Sequence, residues 1–108
     1  MRDEILKRTS TLARQEPATH LRLVRAFVDD LAIRLAALRS DGSMKAWRET
    51  AHMARGTAGM LGAEALAQIA GEVHDGLGRA DPPDHDADNK RMTIALDALR
   101  TCLEEEGV

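Results

Sequence analysis

Aromatic residues are scarce in this chain: they make up 2% of its 108 residues, as Phe27 and Trp47, and tyrosine is absent. The core must therefore be aliphatic, which favours helices because strands prefer β-branched and aromatic residues. The only cysteine, Cys102, has no partner for an internal disulfide, so a reducing compartment is the simpler assumption. The length suits one domain, and we expect residues 1–108 to form it.

Signals for membranes and nucleic acids are missing as well. No apolar run approaches the roughly 20 residues that cross a bilayer, and the charged start Arg2-Asp3-Glu4 is not a secretory signal. The net charge is −3, and no basic block is present that could neutralise nucleic acid phosphates. We therefore expect a cytoplasmic protein that binds neither membrane nor nucleic acid.

Hydrophobic residues at helical spacing predict four long helices after a weak, short one. We expect a short helix over 5–13 and long helices over 20–39, 43–61 and 63–77 and from about 87. Short connections place consecutive helices side by side and antiparallel. The predicted fold is all-α, an up-down-up-down four-helix bundle with a short extra N-terminal helix and a core over about 19–105.

The ends of these helices carry capping signals. Thr19 and Ser43 are candidate N-caps, because a hydroxyl at that position accepts a bond from a free helix amide. Leu61-Gly62 predicts a sharp stop between the third and fourth helices. We interpret residues 78–88, with two prolines and several aspartates, as a polar loop, and residues 104–106 as a solvated acidic tail.

The first two long helices, over 20–39 and 43–61, each have a clear buried stripe. The predicted stripe residues are Val24, Phe27, Val28, Leu31, Leu35 and Leu38, widened by Leu21, Ala32 and Ile33, and then Met44, Trp47, Ala51, Ala54, Ala58 and Leu61. The later segments contribute Leu66, Ile69, Ala70, Val73 and Leu77, and then Met92, Ala95, Leu96, Leu99, Cys102 and Leu103.

His52 lies on the helix of the second stripe but points elsewhere. On a helical wheel it is about 130° from the centre of that stripe. Four residues fall within about 40° of it and one at about 60°. The four are Lys45, Arg48, Gly56 and Gly59, and the fifth is Arg55. The imidazole is therefore predicted to face solvent, among basic side chains and above bare backbone.

These neighbours suit a phosphoryl acceptor. Gly56 and Gly59 each cost roughly 1 kcal/mol against alanine inside a helix, which suits close approach by another molecule. Arg55, Arg48 and Lys45 can form charge-assisted hydrogen bonds to a phosphate, and a neutral imidazole is a nucleophile. Position alone leaves a second interpretation open, in which His52 is an ordinary surface histidine on a solvated, charged helix face.

At these residues the sequence resembles the histidine-containing phosphotransfer (HPt) domain family. The motif stands as His52-Met53-Ala54-Arg55-Gly56-Thr57-Ala58, followed by Leu61-Gly62-Ala63 and Leu66. Arg55 replaces the family's usual lysine, which keeps the charge but offers a planar fork. Ala54 replaces the usual leucine, and Trp47 is a candidate to fill that volume.

The resemblance implies a phosphorelay intermediate. His52 would accept a phosphoryl group from a receiver-domain aspartate and pass it to another receiver, with receivers and a hybrid histidine kinase as partners. Mg²⁺ would sit on the receiver, and the chain itself would hold no cofactor or metal. The chain would be a phosphocarrier without autonomous catalysis, because the receiver would supply the metal ion and the acid. Its length suggests a monomer. It lacks a nucleotide-binding glycine loop, so it is not the ATP-using kinase.

Two other classes are weighed against this one. The first is a docking or inhibitory module that binds a receiver or kinase without accepting phosphate, although binding alone does not require His52. The second is a helix-turn-helix DNA binder, disfavoured by the acidic balance and by the lack of a basic recognition helix.

Overall fold

The computed structural model describes residues 5–40, 42–79 and 84–108, and these form an elongated body of 44 × 22 × 22 Å. All regular structure in this part of the chain is helical, as the sequence predicts. The five helices are α1 Thr11–Gln15, α2 Pro17–Ser40, α3 Met44–Leu61, α4 Glu64–Leu77 and α5 His85–Glu105.

The four long helices enclose one core. α2 packs on α3, α3 on α4, α4 on α5 and α5 back on α2, which closes a ring, while α1 packs on α2. A helix of 24 residues such as α2 is about 36 Å long, so α2 runs along most of the body. The up-down-up-down order of directions stays a prediction.

The N-terminal segment differs from the predicted helix over 5–13. Residues 6–9 are not helical, and α1 begins only after Ser10, whose Oγ accepts a 3.1 Å bond from the Ala13 amide. Leu6 is buried, and the Lys7 amide donates a 2.8 Å bond to the Gly62 carbonyl. Burial of Leu6 and this backbone bond outweigh a weak local helix preference. We call residues 5–9 the N-terminal strap.

α2 begins three residues before the predicted start. Pro17 is its first residue, a position that proline favours because its missing amide would be unpaired there anyway. Thr19 is consequently inside the helix, and the prediction that it is the N-cap is wrong.

Both ends of α3 agree with the prediction. Ser43 caps α3 by accepting a 3.1 Å bond from the Ala46 amide. Gly62 ends α3 with φ 91°, and the Ala63 amide donates a 2.9 Å bond to the Ala58 carbonyl. A side chain at Gly62 would overlap the Lys7 carbonyl oxygen, so the strap and the positive φ both require glycine.

Two predictions near the C-terminus are wrong in part. The polar loop was expected to reach residue 88, but α5 starts at His85 because Asp84 accepts a 3.0 Å bond from the Ala87 amide. The rest of that loop, residues 80–83, lies outside the described residues. In the expected solvated tail, Glu106 is half-buried and pairs with Arg8 at 2.6 Å.

The predicted stripes form the core, with four corrections. Ile33 is 70% exposed, so it does not widen the α2 stripe. Met44, Ile69 and Ala95 are only half-buried, at the margin of the core. Trp47, Ala54 and Cys102 are buried as expected, and Trp47 also stacks on His85 with ring centroids 4.8 Å apart.

Two buried polar side chains tie helices together through carbonyl groups. His20 of α2 lies in the core, and its Nε2–H donates a 2.7 Å bond to the Leu61 carbonyl at the end of α3. Asn89 of α5 donates a 2.9 Å bond to the Leu35 carbonyl of α2. The His20 bond satisfies a helix-end carbonyl that α3 itself cannot pair.

Candidate functional site

His52 is exposed in the middle of α3, eight residues after Met44 and nine before Leu61. Ala51 on one side of it and Ala54 beyond it are fully buried, which fixes the rotation of α3 and turns position 52 outward. Its exposure agrees with the wheel prediction.

Gly56 and Gly59 form an open surface beside His52. A Cβ built at either position would meet nothing within 4 Å, apart from the backbone of α3 itself. Neither glycine is therefore required by packing inside this chain. Since glycine weakens a helix, its presence twice beside His52 is consistent with close approach by another molecule.

Arg55 extends from α3 across α4. Its Cδ and Nε lie 3.5 and 3.6 Å from the position that a Cβ on Gly71 would occupy. The Arg55 side chain thus lies close to the α4 backbone at Gly71, and a Cβ there would touch it without overlap. Arg55 remains exposed, so its guanidinium stays accessible from outside.

His74 of α4 lies beside His52. The two imidazole centroids are 5.7 Å apart and the ring planes are inclined by 45°. His74 is half-buried, with a side-chain exposure of 30%, and its Nδ1 is 3.8 Å from an Asp75 carboxylate oxygen. His74 was not among the residues predicted for the site.

The sequence did hold a signal for this pairing. His52 and His74 are each eleven residues from Ala63, and Arg55 and Gly71 are each eight residues from it. In an antiparallel helical hairpin, two residues that are equally distant in sequence from the corner lie side by side on the two helices. The spacing around the corner could therefore have predicted both contacts.

Lys45 and Arg48 are exposed on α3, as the wheel predicts. Within the described residues, neither side chain takes part in a hydrogen bond or ion pair. Their role as charge support for a phosphate stays a prediction.

An apolar groove runs along the other side of His52, between α2 and α3. Leu23 is 46% exposed and Met60 is 76% exposed along it. We call it the α2–α3 groove; its lining residues are Leu23, Ala26, Phe27, Asp30, Met53, Thr57, Met60 and Leu61. His52 thus lies between this groove and the Arg55–His74 side of α4.

Glu72, next to Gly71, faces α5 instead of the site. It accepts hydrogen bonds from Arg91 and from Gln68, and these lower the pKa of its carboxyl below the ordinary value. Burial raises the pKa of Asp88 in the first turn of α5, against an opposing effect of Arg91. Glu72 therefore lies on the surface between α4 and α5, and Asp88 lies on α5.

No cluster of three or more His, Cys, Asp or Glu side chains able to hold a metal ion occurs among residues 5–40, 42–79 and 84–108. Within those same ranges, no helix is long and apolar enough to cross a membrane.

The family model for the Hpt domain matches residues 22–105, which is most of the chain. The chain belongs to the Hpt domain family, a family of phosphocarriers that act in two-component phosphorelays through histidine phosphotransfer. Hpt domains interact there with receiver domains and kinases. Neither a curated protein nor a solved structure shows significant similarity to the chain.

Proposed function

We propose that this chain is the phosphorelay intermediate that accepts a phosphoryl group on His52 from a receiver-domain aspartate and passes it to a second receiver. The observation that carries the proposal is an exposed imidazole flanked by open backbone at Gly56 and Gly59. A receiver must bring an aspartyl phosphate within bonding distance of the histidine. Bare helix surface at that level lets it do so without a clash.

The transfer step follows from the chemistry of the two groups. One imidazole nitrogen of His52 attacks the phosphorus in line, so that an N–P bond forms as the P–O bond to the receiver aspartate breaks. The aspartate leaves as a carboxylate with the electron pair of that bond. In the second transfer, the aspartate carboxylate of the second receiver attacks the phosphorus, so that a P–O bond forms as the N–P bond to His52 breaks. The bundle contributes positioning and charge support from Arg55, Arg48 and Lys45, while the receiver contributes Mg²⁺.

The receiver is the proposed occupant of the α2–α3 groove. Met53 follows His52 in sequence, and Met60 and Leu23 extend an exposed apolar surface away from the histidine. A partner that reaches His52 over Gly56 comes into contact with this surface. Apolar surface beside the acceptor histidine would hold the receiver in register, and methionine adapts to more than one partner.

The up-down-up-down course of the helices and a monomeric, cytoplasmic chain are part of the same proposal. The tight α3–α4 corner at Gly62 supports the antiparallel course for that pair. A hybrid histidine kinase, which carries its own receiver domain, is the expected source of the phosphoryl group. We expect the chain itself to perform no catalysis in the absence of a receiver.

The test is phosphoryl transfer from a panel of phosphorylated receiver domains with Mg²⁺, followed by intact-mass measurement at neutral pH. We expect an acid-labile adduct of one phosphoryl group on the wild-type chain and none on His52→Gln, with equal helical content and melting temperature. His85→Gln, a change at another histidine, is the matched control and should keep the adduct. Receiver binding without an adduct would instead identify a docking module.

A further inference from the structure

The His52 imidazole has one ring neighbour. Among the described residues it takes part in no hydrogen bond, and its aromatic contact is with His74, at a centroid distance of 5.7 Å. The distance lies within the range of about 4.5–7 Å over which aromatic ring pairs attract each other. The contact joins an exposed ring on α3 to a half-buried ring on α4.

We propose that His74 is a positioning residue that orients the His52 imidazole for phosphoryl transfer. This inference rests on the proposed function of His52 and adds a second histidine to that site. His74 does not itself accept the phosphoryl group in this proposal. It acts through its ring, which holds the His52 ring in one orientation.

An exposed side chain in mid-helix has two accessible χ1 rotamers, and each aims the ring nitrogens in a different direction. Contact with His74 favours the rotamer that leans toward α4. The opposite side of His52, over Gly56 and the α2–α3 groove, then stays open for the receiver. Since in-line attack requires a nitrogen aimed at the phosphorus, a restricted ring reacts more often per encounter.

The surroundings of His74 make it suitable for this role. Its side chain is 30% exposed, so neighbouring atoms restrict it more than they restrict the exposed side chain of His52. The Arg55 side chain lies beside Gly71, one turn before His74 on α4. Arg55 and the orienting ring of His74 therefore lie on the same side of His52, toward α4.

Three substitutions separate ring contact from other roles. His74→Ala removes the ring, His74→Gln keeps a polar group without a ring, and His74→Phe keeps a ring without nitrogen atoms. Single-turnover transfer from a phosphorylated receiver, measured against receiver concentration, gives the maximal rate and the half-saturating concentration separately. We expect the alanine and glutamine variants to lose about tenfold in maximal rate with little change in half-saturation, because orientation affects the step after docking.

The phenylalanine variant should transfer within about twofold of wild type, since it restores the ring contact. NMR of the His52 ring carbons and protons provides a second readout, because ring-current shifts from position 74 vanish in His74→Ala and persist in His74→Phe. A merely structural role for His74 would lower the melting temperature of the alanine variant but leave the maximal transfer rate of the folded protein at the wild-type level.

Two results would overturn the inference. One is a maximal rate in His74→Ala and His74→Gln that stays within twofold of wild type. The other is a His74→Phe variant as slow as His74→Ala, because a ring is then not sufficient. Failure of the proposed function is distinguishable, since wild-type protein would then form no adduct on His52 at all.

Discussion

Replacing Gly56 or Gly59 by alanine should stabilise the protein, although both residues lie beside His52 in the candidate site. A Cβ at either position meets nothing outside the α3 backbone within 4 Å, so the substitution causes no clash. Alanine is favoured over glycine inside a helix by about 1 kcal/mol. Each substitution should therefore raise the free energy of unfolding by about that amount. For a domain of this size, that corresponds to a rise in melting temperature of about 4 °C.

Larger side chains at Gly56 should separate stability from function. Gly56→Gln keeps a good helix former but places a long side chain one turn from His52, where the receiver must approach. We expect its unfolding free energy to be equal to or above that of wild type, while transfer from a phosphorylated receiver slows by tenfold or more. Urea unfolding and the single-turnover transfer assay measure the two quantities on the same preparations.

Gly76→Gln is the matched control for this experiment. A Cβ at Gly76 also meets nothing within 4 Å, but this glycine lies on α4, two residues from His74 and on the opposite side of that helix. It should leave transfer unchanged. The reasoning is refuted if Gly56→Ala destabilises the chain, since packing would then explain the glycine. A wild-type transfer rate in Gly56→Gln would equally refute docking over this surface.

Three further predictions concern the scaffold. Gly62→Ala should lower the free energy of unfolding by about 3 kcal/mol, because it strains a positive φ and displaces the N-terminal strap. Urea titration measures this change, and an unchanged midpoint would contradict the described corner. His20→Leu should cost about 2 kcal/mol by leaving the Leu61 carbonyl unpaired, and loss of protection of α3 in hydrogen exchange would locate the effect. The carboxylate of Glu72 has a lowered pKa, chiefly through Arg91, so its stabilisation is complete above its ordinary pKa of about 4.3 and is lost as pH falls through the lower folded value. The melting temperature of Glu72→Gln should accordingly fall below wild type at pH 6 and converge with it in acid.

The long helices could be predicted because their amphipathic periodicity is strong and local. Ser43 and Gly62 were identified from capping chemistry alone, since a cap depends on a few neighbouring backbone groups. The N-terminal strap could not be predicted in this way. Its conformation depends on Lys7 meeting Gly62, a partner 55 residues away in the sequence. Tertiary contacts decide such a segment when its own helix preference is weak.

In the candidate site too, the features set by one helix were predicted and the contact between helices was not. His52, Gly56 and Gly59 lie on one helix, so a wheel could place them together, and the structure keeps them exposed. His74 comes from another helix, and the relation between the two rings depends on how α3 and α4 are aligned. A wheel describes one helix at a time and carries no such information. Counting outward from the corner at Ala63 would have supplied it.

The mid-helix position of His52 has a thermodynamic consequence for a phosphoryl group carried there. Throughout α3 at this level, backbone amides are engaged in the helix, unlike the free amides of a helix N-terminus that bind phosphate strongly. Only side chains can compensate the charge, and mobile exposed side chains do so weakly. In the proposed phosphorelay, the N–P bond on His52 would therefore keep most of its intrinsic free energy of hydrolysis. Transfer to a receiver and transfer back to one would then differ little in free energy.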